Sequence, residues 1–226
     1  MKKCKIFIAI DTNKISKAKK IIKETQNKKI KIGYKFGLEF ILSKNGRNFI
    51  SKLKKKIIFI DIKAKDIPNT MKSAVKSLKD LKINYLTVHI SSGIEALKAV
   101  KKVSGKIKIV GVSTLTSLDN KNLKEIGYNK SVKNLIIHQS KLAQKAKLDA
   151  IVCSPNEANY VRKIFKKEII TPGVRFDKNK QDQKRTMTPR EAFKNGSNWL
   201  VIGRPITKPE GNIKKNIQKL IDHLNK

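Results

Sequence analysis

Asp61, Lys63 and Asp66 are the residue types that proton transfer requires, two acids and a base spaced D-x-K-x-x-D directly after the apolar run Ile57-Ile58-Phe59-Ile60. Side chains alternate along an extended strand, so Asp61 and Lys63 share one face and their charges are neighbours. Asp66 falls beyond, in a turn, because Pro68 forbids continued strand pairing. Alternating carboxylate and ammonium groups satisfy one another and keep Lys63 protonated, and a protonated lysine in a water-poor pocket is a general acid. A solvated surface ion pair has the same letters and contributes little. The apolar run weighs against that alternative, since a strand covered on both faces ends in three charges where a site uses them.

The elements that must position these charges recur along the chain. Strand-like runs are predicted at Lys5–Ile10, Ile30–Lys35, Ile57–Asp61, Asn84–His89, Ile107–Val112, Asp149–Cys153, Glu168–Thr171 and Asn198–Ile202. Helical spacing fills the intervals at Ile15–Thr25, Phe36–Leu53, Met71–Leu81, Glu95–Val103, Leu135–Ala146, Glu157–Phe165, Pro189–Lys194 and Ile213–Leu224. Eight βα alternations in 226 residues predict a (β/α)₈ TIM barrel, residues 1–226 as a single domain, with chemistry at the C-terminal ends of the strands. An open doubly wound sheet is the alternative, but no G-x-G-x-x-G follows the first strand.

Reading the strand ends in turn gives the remaining candidates. Strand one ends at Asp11, which could simply cap the next helix with Thr12 and Asn13. Strand two offers two lysines on one face, Lys31 and Lys35, of which Lys35 is nearer the tip. Strand four ends at His89, whose ordinary state is packed and structural. The hydroxyls after strand five include Thr116, and any one of them could cap a helix. Barrels often bind phosphate after strands seven and eight. There Gly203 permits close backbone approach, Arg204 offers a planar fork and Gln183 can donate from a loop.

Taken together, Asp61-Ile62-Lys63-Ala64-Lys65-Asp66-Ile67-Pro68-Asn69-Thr70, Lys35-Phe36-Gly37-Leu38-Glu39-Phe40, Thr171-Pro172-Gly173-Val174-Arg175, Asp182-Gln183-Lys184-Arg185 and Ile202-Gly203-Arg204-Pro205-Ile206-Thr207 resemble the orotidine 5'-monophosphate decarboxylase family in order, type and position. The resemblance covers essentially the whole chain. It implies decarboxylation of orotidine 5'-monophosphate to uridine 5'-monophosphate in pyrimidine biosynthesis, with no metal and no organic cofactor. Lys63 is then the proton donor, Asp61 and Asp66 crowd the departing carboxylate, and Lys35 links the network, with Lys31 as the alternative. The same resemblance implies substrate contacts from Asp11 to the ribose hydroxyls, Thr116 to the pyrimidine, and Pro172, Arg175, Gln183, Gly203 and Arg204 around the phosphate. It also implies a homodimer in which Asp66, Ile67 and Thr70 reach the partner's site. Lys65 and Ile90-Ser91-Ser92-Gly93 depart from the family pattern.

Two other readings compete. Magnesium-dependent sugar-phosphate relatives such as 3-keto-gulonate-phosphate decarboxylase are similar around D-x-K-x-x-D, but they carry an acidic metal ligand where Lys35 stands, and lysine cannot replace it. A net charge of +36, from 53 Lys and Arg against 17 Asp and Glu, raises nucleic-acid binding. The charge is nearly all lysine, with six arginines, and is spread through every predicted helix. Solvated lysine faces of that kind predict weak, salt-sensitive attraction and no specific nucleic acid. Cys4 and Cys153 sit in or beside apolar strands, as reduced, packed thiols do. No apolar run reaches membrane-spanning length, so a soluble, unexported, cytoplasmic protein is expected.

Overall fold

A computed structural model of the chain describes residues 4–175, 187–207 and 212–225. Strands β1 (Lys5–Ile10), β2 (Lys31–Gly37), β3 (Ile57–Ala64), β4 (Tyr85–His89), β5 (Lys108–Val112), β6 (Ala150–Val152), β7 (Glu168–Thr171) and β8 (Trp199–Ile202) form a closed parallel barrel, β8 pairing back onto β1. That closure makes the fold a (β/α)₈ barrel and excludes the open sheet.

The alternation in each strand divides its side chains between two cores. Outward-facing Ile6, Ile8, Ile10, Ile58, Ile60, Leu86 and Val88 pack under the surrounding helices. Inward-facing Phe7, Phe59, Tyr85, Val110, Ala150, Ile170 and Trp199 fill the barrel. Phe7 stacks on Trp199 with ring centroids 4.1 Å apart and meets Phe59 at 4.9 Å. Gly33 makes room for this plug, since a Cβ there would lie 2.6 Å from the Phe7 ring. Truncating one such aromatic to alanine costs about 3–5 kcal/mol.

Two elements differ from expectation. Instead of one helix over Phe36–Leu53, β2 runs on to Gly37 and is followed by two short helices, Leu38–Ile41 and Gly46–Ser51. The break is steric: a Cβ on Gly46 would lie 1.8 Å from the Phe40 carbonyl oxygen, and Ser43 Oγ caps that same carbonyl at 2.7 Å. β3 also runs past Asp61 to Ala64, with a slip in its pairing to β4 between Ile60 and Ala64. Elsewhere the boundaries agree to within four residues, and the short helices Asn120–Glu125 and Arg204–Thr207 are additions. Asp119 and Asn122 form a capping box on the first of them.

Candidate active site

At the C-terminal end of the barrel, β1, β2 and β3 bring four charges into one row of alternating sign. Lys35 Nζ lies 3.6 Å from Asp11 Oδ1 and 3.4 Å from Asp61 Oδ2, and Lys63 Nζ lies 3.0 Å from Asp61 Oδ1. Lys35 therefore completes the network. Lys31 is exposed at the opposite end of β2, in register with Lys5. Burial opposes ionisation of Asp61, but the Lys35 and Lys63 ammoniums, with hydrogen bonds from Lys63 and Thr87, outweigh it and hold this carboxyl below the usual range.

Sequence reasoning brought Asp61 and Lys63 together through a regular strand, whereas the structure does so through an irregular one. Lys63 adopts φ 49°, in the left-handed region that an L-residue occupies at a cost of about 1–2 kcal/mol. Its N–H donates to Thr87 Oγ1 at 2.8 Å, and the Thr87 hydroxyl donates to Asp61 Oδ1 at 3.0 Å. Thr87 is absent from the sequence candidates. Its signal is a small hydroxyl between the apolar Leu86 and Val88 near the C-terminal tip of β4.

The charges open into a cleft of about 270 Å³. It is lined by Asp11, Lys35, Asp61 and Lys63, by Pro172, Arg175, Gly203 and Arg204 from the segments after β7 and β8, and by Thr116. Gly203 sits in a tight spot, where a Cβ would lie 3.0 Å from Asp11 Oδ2 and 3.2 Å from Ala9 Cβ. Gly173, at φ 78°, turns the chain out of β7 as only glycine does readily. Ala9, Phe59, Val112, Val152 and Val201 supply an apolar floor.

Other candidates stand apart from this cleft. Asp66, Ile67 and Thr70 are exposed beyond β3, and Asp66 accepts a hydrogen bond from the Ile67 N–H at 2.7 Å. Within one chain the fourth member of the charge row is thus Asp11, not Asp66. Gln183 lies outside the described residues. His89, half-buried, is held below its ordinary value by burial and by the Lys65 and Lys63 ammoniums, and so is neutral near pH 7. Ser113 and Thr114 are occupied structurally, donating to the Val152 carbonyl and to Gln139 Oε1. Among the described residues no three His, Cys, Asp or Glu side chains group to hold a metal ion, and no helix is long and apolar enough to cross a membrane.

A parallel (β/α)₈ barrel with an acid–base cluster at the ends of β1–β3 and two arginines at the ends of β7 and β8 defines a barrel enzyme for an anionic substrate. The chain belongs to the orotidine 5'-phosphate decarboxylase / HUMPS family, whose model matches residues 5–220. It is similar to the orotidine 5'-phosphate decarboxylase of Wolbachia pipientis from Culex pipiens, 42% identical over 208 residues covering 89% of this chain and 91% of that one. It is also similar to that of Ehrlichia chaffeensis, 40% identical over 209 residues and 89% of each chain. Among solved structures, the orotidine 5'-phosphate decarboxylase of Lactobacillus acidophilus superposes with a TM-score of 0.84 at 26% identity, over 99% of this chain and all of that one. The chain is accordingly an enzyme of the carboxy-lyase class.

Proposed function

We propose that the cleft decarboxylates orotidine 5'-monophosphate to uridine 5'-monophosphate without metal or organic cofactor, with Lys63 as proton donor. The observation that carries this reading is the row Asp11–Lys35–Asp61–Lys63, in which a single buried carboxylate holds the Lys63 ammonium at 3.0 Å on the edge of the cleft. The carbon–carbon bond to the substrate carboxylate breaks with its electron pair left on ring carbon C6, and carbon dioxide departs. A proton from Lys63 Nζ then forms the new C6–H bond, and water returns a proton to the lysine. Asp61, held ionised, repels the substrate carboxylate until it leaves as a neutral molecule.

The carbanion lies in the ring plane, where the π system cannot delocalise it, so stabilisation must come from placed charges and from remote binding. In this reading Arg175, Gly203 and Arg204, with Pro172 and Gln183, hold the phosphate, Asp11 and Lys35 meet the ribose hydroxyls, and Thr116 faces the pyrimidine. The lining of the cleft supports that reading, since both arginines share it with the acid–base row. Lys35 supports the metal-free reading over the magnesium-dependent one, because two ammoniums already occupy both oxygens of Asp61.

Asp66, Ile67 and Thr70 belong in this proposal to the partner's site in a homodimer. Their exposure supports it, as do the exposed apolar side chains Leu38 and Leu42 after β2 and Ile67 after β3. Mixed dimers of Lys63→Ala with Asp66→Ala chains should then regain activity in about half of their sites. No complementation would count against shared sites. A single barrel domain working in the cytoplasm completes the reading. The direct test is loss of orotidine 5'-monophosphate absorbance with purified protein in EDTA. Turnover is expected there; no turnover, with magnesium-dependent cleavage of 3-keto-gulonate phosphate instead, would overturn it.

A further inference from the structure

Thr87 lies in β4 one alternation above Tyr85, fully buried inside the barrel. Where β3 slips, Ile60 pairs with Leu86 and Ala64 pairs with Val88. Asp61, Ile62 and Lys63 therefore stand opposite Thr87 alone. Its hydroxyl is used in both directions at that point, accepting from the Lys63 N–H at 2.8 Å and donating to Asp61 Oδ1 at 3.0 Å. Asp61 Oδ1 thus receives the Thr87 hydroxyl and the Lys63 ammonium together, while Oδ2 faces Lys35 at 3.4 Å. The same hydroxyl meets the backbone of the one member of the charge row with a left-handed φ. A residue held in that region persists only where its surroundings over-determine it.

We propose that Thr87 is a positioning residue for the decarboxylation: its hydroxyl clamps the left-handed backbone of Lys63 to the carboxylate of Asp61 and so sets the lysine ammonium in the cleft. The inference rests on Lys63 being the proton donor. Only a side chain that accepts and donates at one atom serves both partners, which limits the position to a hydroxyl or a close substitute. Valine matches threonine in shape but does neither, leaving the Lys63 N–H without that partner and Asp61 held by its two lysines alone. Serine keeps both bonds.

The test compares Thr87→Val and Thr87→Ser with wild type in steady-state turnover of orotidine 5'-monophosphate, in thermal unfolding and in hydrogen exchange of the Lys63 amide. Thr87→Val should lower kcat about 10- to 100-fold, the loss typical of slight misplacement of a reacting group, with KM changed less than about threefold. Its Lys63 amide should exchange at least about tenfold faster. Thr87→Ser should recover kcat to within about threefold of wild type and restore the slow exchange. Should Thr87→Val not fold, Thr87→Cys, a weaker donor and acceptor of similar size, replaces it in the same comparison. A valine variant with near-wild-type kcat and only a lower melting temperature, or a serine variant no better than valine, overturns the proposal and leaves Thr87 a packing residue. Failure of the underlying reading looks different. Lys63→Ala would then turn over like wild type, while Thr87→Val would still speed exchange at the Lys63 amide.

Discussion

The two ends of the barrel use the same ion-pair chemistry to opposite ends. At the C-terminal end, Asp61 is held by Lys35, Lys63 and Thr87 beside an open cleft. At the N-terminal end, Glu168 is held by Lys108 and the Tyr85 hydroxyl, each at 2.9 Å, by Trp199 Nε1 at 3.4 Å and by Lys5 at 3.6 Å. Burial pushes both carboxyls up, and their cationic and hydrogen-bonding partners overcome it, so both lie below their usual values. The difference is what lies next to them. Below Asp61 and above Glu168 sit the packed rings of Phe7, Phe59, Tyr85 and Trp199. The lower cluster rests on that plug with regular backbone and its lysines partly exposed, while the upper one faces the cleft and contains the left-handed Lys63. A charge cluster built for stability sits on relaxed backbone at the barrel rim, whereas one built for reaction lines a cleft and is strained.

Substitutions at the two ends should therefore separate activity from stability. The largest effect belongs to Asp61→Asn, which leaves two ammoniums without their shared carboxylate. Turnover should fall about 10²- to 10⁴-fold, as for loss of an acid–base group, a far larger effect than the stability lost with the ionised carboxylate. Arg204→Ala comes next: loss of a charged, forked contact to phosphate should reduce kcat/KM on orotidine 5'-monophosphate about 10- to 100-fold. Turnover of the phosphate-free nucleoside should be nearly unchanged, and equal losses on both substrates would mean that Arg204 does not serve the phosphate. At the lower end, Glu168→Gln should cost about 1–3 kcal/mol in equilibrium denaturation while kcat per folded molecule stays constant. A fall in kcat there would show that the two ends are coupled through the plug.

The smallest effects are those of pH, and their signs differ. Asp61 and Glu168, depressed from ordinary values of 3.8 and 4.5, contribute stability that is present above those values and lost as pH falls below them. Acid therefore weakens both ends alike. Tyr85, pushed up to about 12 from 10.0 by burial and by Glu168, contributes stability that is present below pH 10.0 and lost as pH rises toward about 12. Tyr85→Phe should shrink the alkaline loss and leave the acid limb in place. Denaturation midpoints followed across pH check both limbs, and an unchanged alkaline limb in Tyr85→Phe would contradict the assignment.

The barrel was legible because parallel strands covered on both faces are written as short apolar runs, and each of the eight runs lies on an observed strand. Most of the cleft was legible for the same reason, since polar residues at the strand tips, from Asp11 to Arg204, converge once the barrel closes. What escaped depends on contacts that no local pattern announces, most of them between segments far apart in sequence. The break at Gly46 follows from its approach to Phe40. The slip in β3 and the left-handed Lys63 are fixed by a hydroxyl on β4, and nothing within Ile57–Ala64 announces it. Asp11 joining Lys35 likewise needs β1 and β2 side by side, with Ala9 opposite Lys35.

The central claim, that the strained upper cluster acts through Lys63, is tested most directly by the turnover of orotidine 5'-monophosphate by Lys63→Ala, with its unfolding transition measured alongside. A loss of about 10²- to 10⁴-fold is expected, in a protein that still unfolds cooperatively near the wild-type midpoint. Turnover within about tenfold of wild type from the folded variant would contradict it, since a general acid contributes more than that.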